Sequence, residues 1–511
     1  MSTPITPVIG KTVIETLTSG MYEDPRFIYR EYIQNSADQI DVAVEDGVLK
    51  DRNAGKIKIS IDPINRVVTV EDNATGISAA KTRSFLGDIA NSNKDLSKRK
   101  GFRGIGRLGG LGYCDSLVFE TSYKGENVKT VMTLNAKLLK EIINNRQDNT
   151  DAAGVISVVT NTTTQPHPVT NHFFKVSLFN ASDNILDKAS VIEYLSMVAP
   201  VEFDPRFKYT QEIKDNFKSK NFIFEEYQVA LNERKIYKAY KNDLLTNNIN
   251  DSPEITSVGF FDVYNTKSEI LALGWYGISS KLNNIIDKIN PERGIRIRKN
   301  NITIGDENTL FDRFKSDRTN LRYIGEIHAL GEGFIPNARR DYFNENKTID
   351  EFEKALDKIF EKFESGLPHK ASDLHNRLKE IVSFRQKLRA FKKDAPTFKT
   401  PKEQEQRKNE VLHSLTLAEK ASTKLAKIQI DAEGNPQLNE LFKSIVADYN
   451  YAIEDKETSV LHGKRVYPPL EFSKVNKSEA KILNEVVILL QDELGHKAAE
   501  PIIKKLQKKY N

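Results

Sequence analysis

The twelve residues Gly101–Gly112 contain six glycines, at 101, 104, 106, 109, 110 and 112. Glycine loses more backbone freedom on ordering than any other residue and weakens helix and strand interiors, so this run reads as a loop held for a purpose. Its backbone N–H groups can approach phosphate oxygens closely, and a helix N-terminus behind them favours the negative charge. Gly104–Gly109 satisfies G-x-G-x-x-G. The ten residues before the run, Asn91–Lys100, are a polar and basic loop where a dinucleotide-binding fold needs a strand, so that fold is excluded. The G-x-x-x-x-G-K-[ST] phosphate loop is absent from the sequence.

Two further segments join the glycine run. In Arg30-Glu31-Tyr-Ile-Gln-Asn35-Ser-Ala-Asp38, helical spacing places Glu31, Asn35 and Asp38 on one face. The apolar neighbours Ile28, Ile33, Ala37 and Ile40 suggest a helix packed on a sheet. Polar groups facing such a partly buried space are costly unless something satisfies them, and a nucleotide with its metal and water would do so. In Glu71-Asp72-Asn73-Ala-Thr-Gly76-Ile77, Asp72 closes an apolar strand and can accept a hydrogen bond from a base amino group, while Gly76 lets the backbone pass close to a ring. Taken alone, the first segment reads more readily as a solvated helix face and the second as an Asp-Asn turn.

The order and spacing of the three segments resemble the GHKL ATPase superfamily: ninety-kilodalton heat-shock chaperones, DNA gyrase B subunits, MutL, MORC proteins and histidine kinases. The resemblance is nearest to the chaperone branch. Phe27–Asp38 is similar to the first motif of that branch, and Asp72 with Gly76-Ile77 to its second. Leu86-Gly-Asp-Ile-Ala-Asn-Ser looks like the start of its ATP lid. Gly101…Gly104-Ile-Gly106, followed by Cys114-Asp-Ser-Leu, looks like its third motif and the next strand. The resemblance covers most of residues 1–180. It implies an ATP hydrolase in which Glu31 activates the attacking water and Asn35 holds Mg²⁺ against the phosphates. Asp72 would bind the adenine amino group, with Gly76 and Ile77 lining the base. Asp38 would support the base catalyst or its waters, and Gly101, Gly104 and Gly106 would let the lid wrap the phosphates. Phe174 falls where the family carries a threonine near the base. Glu31, and an ATP domain that comes first in the chain, argue against a histidine kinase.

Further along, Phe334-Ile-Pro-Asn-Ala-Arg339-Arg340-Asp341 resembles the middle-domain segment of the chaperones, whose arginine reaches the γ-phosphate. Arg340 aligns with that residue, and Arg339 is its adjacent alternative. The Arg296, Arg298 and Lys299 stripe reads as a solvated strand face or as a contact to nucleic-acid phosphates.

Length and periodicity supply the frame. At roughly 100–200 residues per domain, 511 residues predict about three domains. The expected class is α+β: an α/β sandwich ATPase domain of the Bergerat type at 1–185, a transducer-like α/β middle domain at 186–365, and a helical, coiled-coil-like region at 366–511. Strands are expected at Lys56–Ile61 and Arg66–Val70 as a hairpin, then at Ser116–Ser122, Lys129–Leu134, Val155–Thr160 and Phe173–Phe179. Leu374, Leu378, Ile381 and Leu388 repeat at coiled-coil-like spacing. Lys392–Arg407, with Pro396 and Pro401, reads as a loop. The net charge of +5 names no partner by itself. One cysteine, Cys114, excludes a disulfide scaffold and any zinc site built on two thiolates, and it reads as a buried small residue. No run of about 18 apolar residues and no signal peptide is found, so the chain is expected to be soluble, cytoplasmic and without a membrane partner.

The resemblance further implies that ATP and Mg²⁺ close the lid, draw the second domain onto the first and pair two copies as a homodimeric clamp. The clamp would hold a protein client or bind an effector partner. The alternatives are a MutL- or MORC-like nucleic-acid clamp in genome maintenance or phage defence, and a nucleotide-dependent interaction protein that does not turn over.

Overall fold

The computed structural model describes residues 9–20, 23–87, 106–247, 253–282, 284–314, 318–394, 401–433, 436–447, 449, 469–494 and 496–511. The chain forms two compact units. One comprises Met1–Ser279 with Asn284–Glu364, the other Ser280–Asn283 with Ser365–Asn511.

The first unit holds two sheets. A short helix α1 (Thr12–Glu15) leads to α2 (Phe27–Glu45). The hairpin β1 (Lys56–Asp62) and β2 (Val67–Asp72) follows, with Ile59 opposite Val70. Both strands alternate strictly between the core and the outer face, which is why their pattern was readable. After α3 (Ala79–Gly87) come β3 (Ser116–Ser122), β4 (Val128–Asn135), α4 (Ala136–Asn144), α5 (Ala152–Val159), β5 (Thr160–Pro166) and β6 (Phe173–Phe179). Then follow α6 (Lys188–Val198), α7 (Thr210–Lys218), β7 (Gln228–Leu231) and β8 (Arg234–Lys235). These strands build one sheet in the order β5-β4-β3-β6-β2-β1-β7-β8. All its pairs are antiparallel except β1 with β7, so the sheet runs on past residue 185 by adding a strand from the second region. The core lies between this sheet and its helices, around Ile28, Ile33, Ile40, Ile59, Val70, Leu117, Val176 and Leu178. Cys114 is buried there, and the apolar surroundings push its thiol up to about 12.

One strand expectation fails. Val155–Thr160 belongs mostly to helix α5, because Asp151 accepts a hydrogen bond from Gly154 N–H at 2.7 Å and caps a helical turn. A short apolar run fits a buried helix or a buried strand equally well, and the cap decides.

The second sheet has the order β12-β11-β13-β10-β9, from β9 (Ile255–Tyr264), β10 (Ile270–Ser279), β11 (Gly294–Lys299), β12 (Ile302–Ile304) and β13 (Tyr323–Ala329). Helix α8 (Lys347–Ser365) follows. The Arg296, Arg298 and Lys299 stripe is neither solvated nor free to meet phosphates. Arg298 is wholly buried and Arg296 nearly so, the latter paired with Glu307 at 3.2 Å, while the Lys299 ammonium donates to Gly331 C=O. Arg298 meets Glu326 in an ionic cluster with Lys238 and His328. Lys238 Nζ donates to Glu326 Oε2 at 2.8 Å and to Oε1 at 3.0 Å, and His328 Nε2 lies 2.9 Å from Oε2. Burial pushes Lys238 down to about 7 and His328 down to about 4. Burial alone would raise the Glu326 carboxyl, but the surrounding cations hold it well below the usual range. Buried charges persist only when paired in this way.

The second unit is helical: α9 (Leu367–Asp394), α10 (Pro401–Glu433), α11 (Pro436–Ala447), α12 (Lys477–Leu494) and α13 (His496–Tyr510). Phe384, Leu388 and Phe391 pack on Val411 and Ala418, so the apolar spacing does form a helix pair. Helix α9 runs through Asp394 and Pro401 opens α10, a position where its missing N–H costs nothing, so both ends of the expected loop Lys392–Arg407 are helical; residues 395–400 lie outside the described residues. Among the described residues no helix is long and apolar enough to cross a membrane.

Candidate functional site

Helix α2 carries the first part of the site. It is buried along most of its length, between the large sheet on one side and the 3-10 turn Gly106–Tyr113 on another. The turn can lie this close because it is glycine-rich. A Cβ on Gly106 would stand 2.2 Å from Glu31 Oε2, and one on Gly109 would stand 2.9 Å from the Phe27 ring. Glu31 is therefore covered by backbone and is only 7% exposed. Its other oxygen, Oε1, lies 3.1 Å from Arg340 Nε and 3.8 Å from Arg30 Nε. Asn35 is half-buried one turn further on, and Asp38 is fully buried one turn beyond it.

Arg340 arrives from the second sheet's side of the unit. Residues 336–343 make a small hairpin closed by the Pro336–Phe343 bridge, and Arg340 stands in it in the left-handed region with φ 58°. Its carbonyl accepts a hydrogen bond from Gly305 N–H at 2.8 Å, directly after β12. Arg339 is exposed, so of the two arginines it is Arg340 that meets Glu31.

The second part of the site is at the end of β2. Asp72 is 2% exposed and is tied to α2 by Ser36 Oγ, which donates to Oδ2 at 2.7 Å; Ala74 N–H donates to Oδ1 at 3.1 Å. Burial dominates and pushes its carboxyl up to about 7. Gly76 has φ 70°, and a Cβ there would stand 2.0 Å from Ser122 C=O, so only glycine fits. Ile77 N–H donates to Thr121 Oγ1 at 2.8 Å, and that hydroxyl donates to Phe173 C=O at 3.0 Å. Asp72, Phe174 and Thr121 stand opposite one another across β2, β6 and β3 and so share one face of the sheet. The row thus has a phenylalanine at 174 and a hydroxyl one strand away, on Thr121.

The structure brings Glu31, Gly106 and Arg340 into one contact group, and Asp72, Gly76 and Ile77 into a second, joined through α2. Gly101 and Gly104 lie outside the described residues. Sequence reasoning missed Ser36 and Thr121, whose roles appear only once β2, β3 and α2 are packed together. The donor set suits a magnesium-bound nucleotide. It has a buried carboxylate for a base amino group, glycines where backbone must pass closely, and one carboxamide for a cation that usually keeps water and phosphate ligands. Among the described residues no group of three His, Cys, Asp or Glu could hold a metal without such a ligand.

Residues 31–164 match the family described as histidine kinase-, DNA gyrase B-, and HSP90-like ATPase. The chaperone protein HtpG of Fusobacterium nucleatum is 27% identical over 140 residues, covering 24% of this chain and 23% of that protein. The chaperone protein HtpG of Coxiella burnetii is 33% identical over 87 residues, covering 16% of this chain and 14% of that protein. The matched stretches therefore span less than a quarter of these relatives. Among solved structures, the ATPase region of Saccharomyces cerevisiae topoisomerase II covers 65% of this chain and 82% of its own, at 13% identity and a TM-score of 0.37. The family match over residues 31–164 takes in the motif residues on α2 and β2 and the Gly106–Tyr113 turn: the N-terminal part of this chain is similar to the ATPases of the GHKL superfamily.

Proposed function

We propose that this chain is a Mg²⁺-dependent ATP hydrolase that works as an ATP-driven conformational clamp. The observation that carries the reading is the buried Glu31 carboxylate, 3.1 Å from Arg340 of the second-sheet region. Glu31 acts as general base: it takes a proton from the water whose oxygen attacks the γ-phosphorus, and the bridging oxygen departs with ADP. A guanidinium paired with a carboxylate is also a ready partner for phosphate, and its planar fork suits either anion. When ATP binds, Arg340 exchanges Glu31 for the γ-phosphate. The exchange frees the base and stabilises the charge that develops on the transferred group. Asn35 would hold Mg²⁺, which would supply positive charge to the phosphates. Asp72 accepts from the adenine amino group, with Gly76 and Ile77 against the ring. Asp38 supports Glu31 through water, and Gly101, Gly104 and Gly106 follow the phosphates.

Because Arg340 comes from outside the ATP motifs, hydrolysis and the position of the second-sheet region are coupled. That coupling makes the chain a switch that acts as a homodimer on a protein client or on an effector partner. Steady-state hydrolysis and ATP binding by the full chain test the reading. Glu31→Ala should lower kcat by about 10²–10⁴, and Arg340→Ala by about 10² or more while ATP affinity stays near that of the parent. Hydrolysis that survives Glu31→Ala unaltered removes Glu31 as the base. A large loss of ATP affinity in Arg340→Ala would place that arginine in ground-state binding instead.

A further inference from the structure

The two halves of the Glu31–Arg340 contact are both fastened to one helix, α6. On the ATP side, Arg26 at the start of α2 donates to Ser190 Oγ at 2.8 Å and to Ser190 C=O at 3.2 Å, and its guanidinium lies 5.0 Å from the centre of the Tyr194 ring. Tyr29, also on α2, donates to Ile185 C=O just before α6. On the other side, the C-terminal end of α6 is gripped by the second sheet. Arg298 Nη2 and Thr303 Oγ1 both donate to Met197 C=O at 2.7 Å, and Arg298 Nη1 reaches Ala199 C=O at 3.3 Å. Carbonyls at a helix C-terminus have no partner within the helix and carry the negative end of its dipole, so a cation and a hydroxyl fit there.

Arg298 and Thr303 face each other across the β11–β12 pair. Glu326 balances the Arg298 charge, and Arg298 Nη1 also donates to Asn301 C=O at 2.8 Å, which fixes the guanidinium in place. Strand β12 ends at Ile304, and the next residue, Gly305, holds the Arg340 carbonyl. A short physical chain therefore runs from Glu31 along α2 to α6, from Met197 to Thr303 and Arg298, and through β12 and Gly305 to Arg340.

We propose that Arg298 and Thr303 are positioning residues for hydrolysis, setting through the C-terminal carbonyls of α6 how Arg340 is presented to Glu31 and the γ-phosphate. The inference rests on the assignment of Glu31 and Arg340 made above. Neither residue touches the nucleotide: they act through the placement of β12. Reacting groups must be held to within a fraction of an ångström, so a small slip of β12 on α6 lowers the rate without weakening ATP binding.

Thr303→Val is the sharpest test. The substitution is nearly isosteric, and Met197 C=O keeps its bond from Arg298, so the fold is retained. The expected result is a kcat about tenfold lower with ATP Kd unchanged, and no further fall when Thr303→Val is combined with Arg340→Ala. A purely structural role gives the opposite pattern, with effects of the two substitutions that multiply. Arg298→Lys should behave as Thr303→Val does, with a larger fall. A Thr303→Val protein with parental kcat, one whose effect multiplies with that of Arg340→Ala, or one that loses ATP affinity in parallel overturns the proposal. A second readout needs no activity: the coupling between Glu31→Gln and Arg340→Ala in thermal melts of the nucleotide-free chain should shrink in the Thr303→Val background. If Glu31→Ala leaves hydrolysis intact, the functional assignment fails, and this melting cycle still reports whether Thr303 sets the Glu31–Arg340 contact.

Discussion

An ionised carboxylate accepts from a base amino group more strongly than a neutral carboxyl does, yet burial pushes Asp72 up to about 7. The native state therefore favours the neutral form. The stability this contributes is complete below the ordinary carboxyl range and is lost as pH rises through about 7. Binding runs the other way: affinity for magnesium-saturated ATP, whose phosphates stay ionised, should rise as pH increases from 6 to 8, by up to about tenfold. Calorimetric titration across that range checks it, and a flat profile would remove Asp72 as the base contact. Asp72→Asn should lose nucleotide binding at every pH while melting no lower than the parent at pH 8, because no buried charge remains. Asp72 was legible in the sequence because a carboxylate at a strand end, four residues before a glycine, is a local pattern. Ser36 and Thr121 were not, because neither forms a pattern with its own neighbours: one reaches Asp72 and the other reaches Ile77 and Phe173 across the sheet face.

At the scale of elements, the end of β12 helps to place Arg340, because Gly305 N–H donates to its carbonyl. Gly305 has φ 70°, and a Cβ there would stand 1.9 Å from Thr309 Oγ1 and 2.7 Å from Asp341 C=O. Thr309 Oγ1 can turn aside, but the Asp341 carbonyl is backbone and can yield only by moving the hairpin that carries Arg340. Gly305→Ala is therefore expected to lower kcat by about tenfold or more while ATP affinity holds. Parallel rate and binding measurements decide it, and an unchanged kcat would mean that the hairpin is placed by other contacts. The hairpin β1–β2 was readable from alternation and turn residues. Helix α5 was not, since its cap on Asp151 competes with an apolar run that also suits a strand.

At the scale of the molecule, the first unit contains every described residue of the candidate site, and the second is a set of long helices with separate apolar cores. The proposed clamp is a pair of chains joined on ATP binding. With hydrolysis blocked by Glu31→Ala, saturating ATP and Mg²⁺ should shift the full chain to a dimer in sedimentation, and removal of Mg²⁺ should reverse the shift. A chain whose sedimentation is the same with and without ATP would exclude ATP-driven pairing.

Within the sequence, the three motifs and their order carried the resemblance to the GHKL ATPases, and alternation carried the α+β reading and the β1–β2 hairpin. Helix and strand periods make side chains neighbours only within one segment. Only the tertiary structure decided that Arg340 rather than Arg339 meets Glu31 and that Arg298 lies inside rather than on a solvated face. It also decided that the large sheet continues through β7 and that Thr121 shares the row of Asp72 and Phe174. Those outcomes depend on pairings between segments tens to hundreds of residues apart, and on whether a buried charge finds its partner there. Arg298 reads as a surface cation until Glu326 and the end of α6 are brought to it.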